Sequence, residues 1–224
     1  MNNLAIFDVD GTLVRPPSLE RRFLRFLWQY GELSTRELAW HFAAAGLSCF
    51  SGKAPQAAPR FYLSGMKIEK VNRLAEDFIE QEIIPSIYKE ALERINDHRK
   101  NSVGIWLLSG APAFLLRPLA VRVKADFVIG LEVESRDGVF REGIHGIHPR
   151  GKGKLMLIQK AISENGCGLA NSFAYGDSIQ DRYILEAAKH ATAVNPDRKL
   201  RYLALKRGWE IRDFREEGGY RRND

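Results

Sequence analysis

Residues 4–13 read Leu4-Ala5-Ile6-Phe7-Asp8-Val9-Asp10-Gly11-Thr12-Leu13. A short apolar segment runs into two carboxylates one residue apart and then a glycine. A strand over Leu4 to Asp10 would put Asp8 and Asp10 on one side, because side chains alternate along a strand. A break at Gly11 would leave both acids at the strand's C-terminal edge, where open α/β sheets hold their ligands. Two acids so close repel one another and call for a cation or a raised pKa. A carboxylate in that place can act as a nucleophile, forming an acyl phosphate that water later hydrolyses. Asp10-Gly11 is also an ordinary turn dipeptide, so the doublet has to be weighed with the rest of the chain.

The chain has 224 residues, enough for one large domain or a core domain with a smaller insert. Its 45% hydrophobic and 28% charged residues are ordinary for a globular protein. Cys49 and Cys167 lie far apart in no metal-ligand spacing, which fits a reducing, cytoplasmic compartment. No signal peptide is expected, since Met1-Asn2-Asn3 runs straight into the Asp8 segment. The longest apolar run, Ile105 to Leu116, is broken by Ser109, Gly110 and Pro112 and is too short for stable membrane insertion. The net charge is +6, and from Arg198 onward nine Lys/Arg stand against five Asp/Glu, so +4 of the excess lies in the tail. Mixed signs on a mostly helical tail read as a solvated face, and no nucleic acid partner is expected. The oligomeric state is not legible.

Outward from the doublet, the pattern turns helical. Ser18 is a candidate N-cap for a helix carrying Phe23, Leu24, Phe26, Leu27 and Tyr30. Ser34 or Thr35 would start a second helix with Leu38, Ala39, Phe42 and Leu47, and a looser stretch follows from Ser51 to Arg60. Met66 to Ile84 reads as another amphipathic helix that stops before Pro85. This α-only block, residues 15–83, interrupts a β/α alternation and is expected to be an inserted helical cap, with 1–14 and 84–224 forming the core. Its stripe of Phe23, Phe26, Leu27, Trp28, Trp40, Phe42 and Phe50 is expected to be core packing, with an apolar slot for a lipid phosphate as the other reading.

Alternation then resumes. Helices are expected over 86–100, 113–123, 152–165, 179–188 and 196–207. Strands are expected over 103–108, 125–129, 172–175, 191–194 and 209–214, with a hairpin over 131–147 around Arg136-Asp137-Gly138. The fold class is α/β, a three-layer Rossmann-like parallel sheet with the inserted cap.

Three further polar clusters fall at strand ends or helix starts. Leu108-Ser109-Gly110 offers a hydroxyl and a bare backbone N–H for a phosphate oxygen. Arg150-Gly151-Lys152-Gly153-Lys154 opens a helix with cations at the end that disfavours them, which hints at a nearby anion. Tyr175-Gly176-Asp177-Ser178-Ile179-Gln180-Asp181 ends an apolar strand, with Asp177 placed to ligate a hard cation. Asp181 either starts the following helix or supports the site. His145 and His148 are read as surface loop residues, and Arg60 as a remote candidate for reaching a phosphate.

These four clusters, in this order, resemble the haloacid dehalogenase superfamily in its phosphoserine-phosphatase-like branch, subfamily IB. Asp8-Val9-Asp10-Gly11-Thr12 matches the family's first motif, which implies Asp8 as nucleophile and Asp10 as general acid/base, with Gly11 and Thr12 beside the substrate. Ser109, with Gly110, matches the phosphate-binding motif. Lys154 matches the lysine of the third motif, with Lys152 as runner-up. Asp177 matches the metal ligand and Asp181 its supporting acid. The implied cofactor is Mg2+, held by Asp8, Asp177 and the backbone carbonyl of Asp10. The implied activity is hydrolysis of a small phosphorylated metabolite or lipid head group through an aspartyl phosphate. A phosphotransferase using the same intermediate and a non-catalytic phosphate-binding protein are the alternatives. Two departures bear on the substrate: Pro17 stands where phosphoserine phosphatases carry a glutamate, with Glu20 near but out of register, and Gly11 stands where they commonly carry serine.

Overall fold

A computed structural model describes residues 3–36, 39, 43, 60–169 and 171–215. The segment that decides the fold forms β1 (Leu4–Asp8) at the centre of a seven-stranded sheet. The other strands are β2 (Gly104–Pro112), β3 (Phe127–Arg136), β4 (Val139–His145), β5 (Phe173–Gly176), β6 (His190–Val194) and β7 (Glu210–Arg212). Their order is β4-β3-β2-β1-β5-β6-β7. All neighbours run parallel except the β3–β4 hairpin, whose Asp137-Gly138 turn has both residues at positive φ. β1 lies between β2 and β5, where the order of connection reverses, so its C-terminal end opens on a crevice.

Alternation along β1 divides the core. Ala5 and Phe7 join one buried cluster, Leu4 and Ile6 the other, and β2 splits in the same way into Ile105/Leu107 and Trp106/Leu108. The first face is covered by α1 (Leu19–Gln29), α2 (Ile68–Phe78), α3 (Lys89–Lys100) and α4 (Ala113–Val123). The second is covered by α5 (Lys152–Asn165), α6 (Arg182–Ala187) and α7 (Arg198–Arg207). Phe7 stacks on Tyr175 at 4.3 Å between centroids, fixing β1 against β5.

The helical block is not isolated from the sheet. Phe23 packs edge-on to Phe78 at 5.3 Å and to Phe114 of α4 at 5.5 Å, within the cluster that holds Phe7. Phe23, Phe26 and Leu27 are buried, as core packing requires, whereas Trp28 is exposed and donates through Nε1 to Thr35 Oγ1. The block joins the core at two adjacent crossings: Arg15 N–H donates to Ser86 O, Tyr88 N–H to Leu13 O, and Val14 bridges Ile87 antiparallel. Trp40, Phe42, Phe50 and most of the second helix expected after Ser34 lie outside the described residues, as does the stretch 51–59.

Several boundaries differ from expectation for local reasons. β1 stops at Asp8, and Asp10 sits beyond it in a tight loop where Leu13 and Val14 N–H both donate to Val9 O. The helix expected over 66–84 is regular only over Ile68–Phe78; it widens into a π turn at Ile79–Ile83 and a 3₁₀ turn at Ile84–Ser86. Pro85 lacks an N–H and disfavours helix in the residue before it, which accounts for the loosening. β2 runs on to Pro112, so Ser109 and Gly110 lie within the strand, where its register against β3 shifts. The strand and half-hairpin expected over 125–136 fuse into β3. Between them Gly130 lies so near α4 that a Cβ would come within 2.7 Å of Ala113 Cα.

Candidate active site

Two strand ends, an inner residue of β2 and one helix start meet over the C-terminal edge of β1. Asp8 ends β1, Asp177 and Ser178 follow β5, Ser109 lies in β2, and Lys154 is the third residue of α5. They border a cavity of about 870 Å³ whose wall is completed by Glu20 and Arg60 from the helical block.

Lys154 is the hub. Its Nζ donates to Asp8 Oδ1 and to Asp181 Oδ1, the latter at 2.6 Å, and all three side chains are buried. Asp181 also closes the turn below: its Oδ2 accepts from Ser178 N–H and Oγ–H, each at 3.1 Å. The same carboxylate therefore both caps the turn and orients the lysine. Lys152 is exposed, with its Nζ 6.0 Å from the centroid of the Tyr183 ring. The structure brings Lys154, not Lys152, to Asp8, because helical residues two positions apart do not share a face and Gly153 lets the backbone close up. A Cβ there would clash with His148 O.

Carboxylate oxygens of Asp8, Asp177 and Asp181 lie within 4.8 Å of one another. Burial pushes the Asp8 pKa well above the usual carboxylate range, against the pull of Lys154. Burial, reinforced by Asp181, lifts Asp177 to about 7. Burial alone would lower Lys154, but Asp181 and Asp8 more than offset it and its pKa is raised. One ammonium cannot neutralise three carboxylates so close together, two of them buried and Asp177 half-buried. A divalent cation would meet the shortfall, and the oxygen spacing suits a small hard ion. The Asp181 oxygens are already taken up by Lys154 and Ser178, which leaves Asp8 and Asp177 as the side chains able to hold it.

Asp10 also lines the cavity but is held from another side. Its Oδ1 accepts the Leu19 N–H at the start of α1 at 2.8 Å, and its side chain is outside the three-carboxylate group. Burial raises its pKa, against hydrogen bonds from Leu19 and Ser109. Ser109 Oγ also accepts from Ala111 N–H at 3.0 Å. Gly110 lines the cavity, whereas Gly11 and Thr12 lie behind it: Thr12 is wholly buried, and the Gly11 carbonyl accepts from Asn195 Nδ2 at 2.8 Å.

His148 is half-buried and lines the cavity, contrary to its reading as a surface residue, while His145 is exposed. Asp177 is supported from behind by residues after β6. Asp197 N–H donates to Asp177 O, and Asp197 Oδ2 accepts from Ile179 N–H. Asn195 and Asp197 follow β6 as Asp177 follows β5, so the polar cluster after a fourth apolar strand was the available signal. The bonding of Glu20 to Arg60 and Tyr62 carried no signal at all, since those residues are 40 and 42 positions apart in the chain.

A family model described as haloacid dehalogenase-like hydrolase matches residues 5–186. Phosphoserine phosphatase SerB1 of Mycobacterium tuberculosis is 30% identical over 218 residues, covering 94% of this chain and 70% of that protein. A histidinol-phosphatase of Neisseria meningitidis is 25% identical over 223 residues, covering 96% of this chain and 100% of that one. A crystal structure of a protein of unknown function from Bordetella pertussis superposes with a TM-score of 0.85 at 25% identity, over 95% of this chain and 99% of the other.

Proposed function

The chain belongs to the haloacid dehalogenase-like hydrolase family, and from that premise we propose that it is a Mg2+-dependent phosphomonoesterase acting through an aspartyl phosphate on Asp8. The observation that carries this reading is the buried Asp8–Lys154–Asp181 triad beside Asp177, set at the end of the central strand and open to a cavity. Asp8, Asp177 and the Asp10 main-chain carbonyl would hold Mg2+, which when bound would supply positive charge between the anionic carboxylate and the anionic phosphate.

Asp8 attacks phosphorus through a carboxylate oxygen as the bond from phosphorus to the substrate oxygen breaks. Lys154 and Ser109 hold the non-bridging oxygens, where charge and positioning do most of the work in phosphoryl transfer. Asp10, whose pKa burial raises above its ordinary value, gives its proton to the departing oxygen. As a carboxylate it then takes a proton from the water that attacks the aspartyl phosphate, which releases phosphate and restores Asp8. The substrate is a small phosphorylated metabolite or head group. Two relatives named for phosphoserine and histidinol phosphate support that class. Among the described residues no helix is long and apolar enough to cross a membrane.

The test is phosphate release from p-nitrophenyl phosphate with Mg2+ and with EDTA, beside Asp8→Asn. Metal-dependent turnover that the variant loses is the expected result. Turnover retained in Asp8→Asn overturns the assignment.

A further inference from the structure

Glu20 stands in the cavity wall, yet its carboxylate is already engaged. Oε1 accepts Arg60 Nε–H at 2.9 Å and the Tyr62 hydroxyl at 3.0 Å, and Oε2 accepts Arg60 Nη2–H at 3.0 Å. Arg60 is only 3% exposed, Tyr62 is buried and Glu20 is half-buried, so this fork is largely shielded from water rather than a surface ion pair. Burial pushes the Tyr62 pKa well up, which keeps the phenol a donor. A carboxylate has about four acceptor positions, and three are filled.

What the fork holds is the start of α1. The residue before Glu20 is Leu19, whose N–H donates to Asp10 Oδ1. Ser18, at the N-cap position, makes no side-chain cap bond, so Asp10 takes up an N–H that the helix cannot satisfy itself. The far side of the fork is anchored to the sheet. Arg60 N–H donates to Glu142 O, Gly65 N–H to Phe140 O and Ile68 N–H to Gly138 O, lacing residues 60–68 to the β3–β4 hairpin. A continuous run of bonds thus joins the hairpin, through Arg60 and Glu20, to the first turn of α1 and to Asp10.

We propose that Glu20, clamped by Arg60 and Tyr62, is a positioning residue for Asp10: it fixes the first turn of α1 so that the Leu19 amide holds one Asp10 oxygen and leaves the other to carry the transferred proton. This rests on the acid role proposed for Asp10. The clamp leaves Glu20 one acceptor position toward the cavity.

The leaving group distinguishes this role from a structural one. p-Nitrophenolate departs readily without a proton, whereas phenolate from phenyl phosphate needs one, and the two substrates have nearly the same shape. The measured quantity is the ratio of kcat/KM for p-nitrophenyl phosphate to that for phenyl phosphate. The ratio is expected to rise roughly five- to tenfold in Glu20→Gln, and less in Tyr62→Phe, which deletes one hydrogen bond without stranding a buried charge. Asp10→Asn should show the largest rise. An unchanged ratio in both clamp variants overturns the proposal, as does an equal loss on both substrates in Tyr62→Phe. A failure of the acid role itself reads differently: Asp10→Asn would then show no rise in the ratio.

Discussion

Gly11 and Asp177 occupy one space. Gly11 has φ +89°, and a Cβ on it would fall 2.7 Å from Asp177 Cγ and closer still to its Oδ2. The loop that turns the chain away from β1 thus packs directly on the carboxylate offered by β5.

Gly11→Ala should therefore damage the proposed metal site before it damages the fold. The positive φ costs about 1–2 kcal/mol for any residue with a Cβ, and Asp177 has to move besides. The expected result is a modest fall in Tm with a rise of about tenfold or more in the Mg2+ concentration for half-maximal activity. Titration of activity with Mg2+, beside a melting curve, checks both.

Asp8→Asn is expected to lower turnover by at least about a thousandfold, since among the described residues no other group is placed to take over the nucleophilic role proposed for Asp8. It should not lower Tm, because an amide in place of a crowded carboxylate relieves repulsion in the metal-free site. Phosphatase assay and thermal denaturation of the same preparation decide the point.

The two lysines at the start of α5 should behave oppositely. Lys154→Met leaves Asp8 and Asp181 buried without their cation, at a cost of about 3–5 kcal/mol, and abolishes turnover. Lys152→Met, at an exposed position, should stay within about threefold of the parent rate and about 0.5 kcal/mol of its stability. Urea melts and kcat/KM for both variants test the contrast.

Asp177 gives the metal-free protein a pH dependence of definite sign. Its pKa of about 7 lies above the ordinary 3.8, so the folded state binds a proton that the unfolded chain releases. Its stabilising contribution is complete below about pH 3.8 and is lost as the pH rises to about 7; Asp8, also raised, acts in the same direction. In EDTA, Tm should fall across this interval more steeply for the parent than for Asp177→Asn. Mg2+ should raise Tm more at about pH 8 than at about pH 5, because the cation replaces the protons. Melting curves at several pH values, with and without metal, would show it.

The chain's sequence determined the fold class, the central strand and four of the site's clusters, because each depends on neighbours in the chain. Apolar alternation over Leu4–Phe7 sets the two faces of β1, and a polar group just past an apolar strand must lie at the sheet edge whatever the strand order. Helix α4 and helix α5 appear at their expected bounds because their apolar spacing and flanking Pro112 and Gly166 are local signals. Only the tertiary structure decided what happens between segments. It placed Lys154 rather than Lys152 on Asp8, since helix phase relative to a distant strand is set by packing. It made Gly11 a requirement of Asp177, and it turned Asp10 toward Leu19. It joined Glu20 to Arg60 across the helical block. These contacts link residues far apart in sequence, where spacing carries no information and close packing selects the partner.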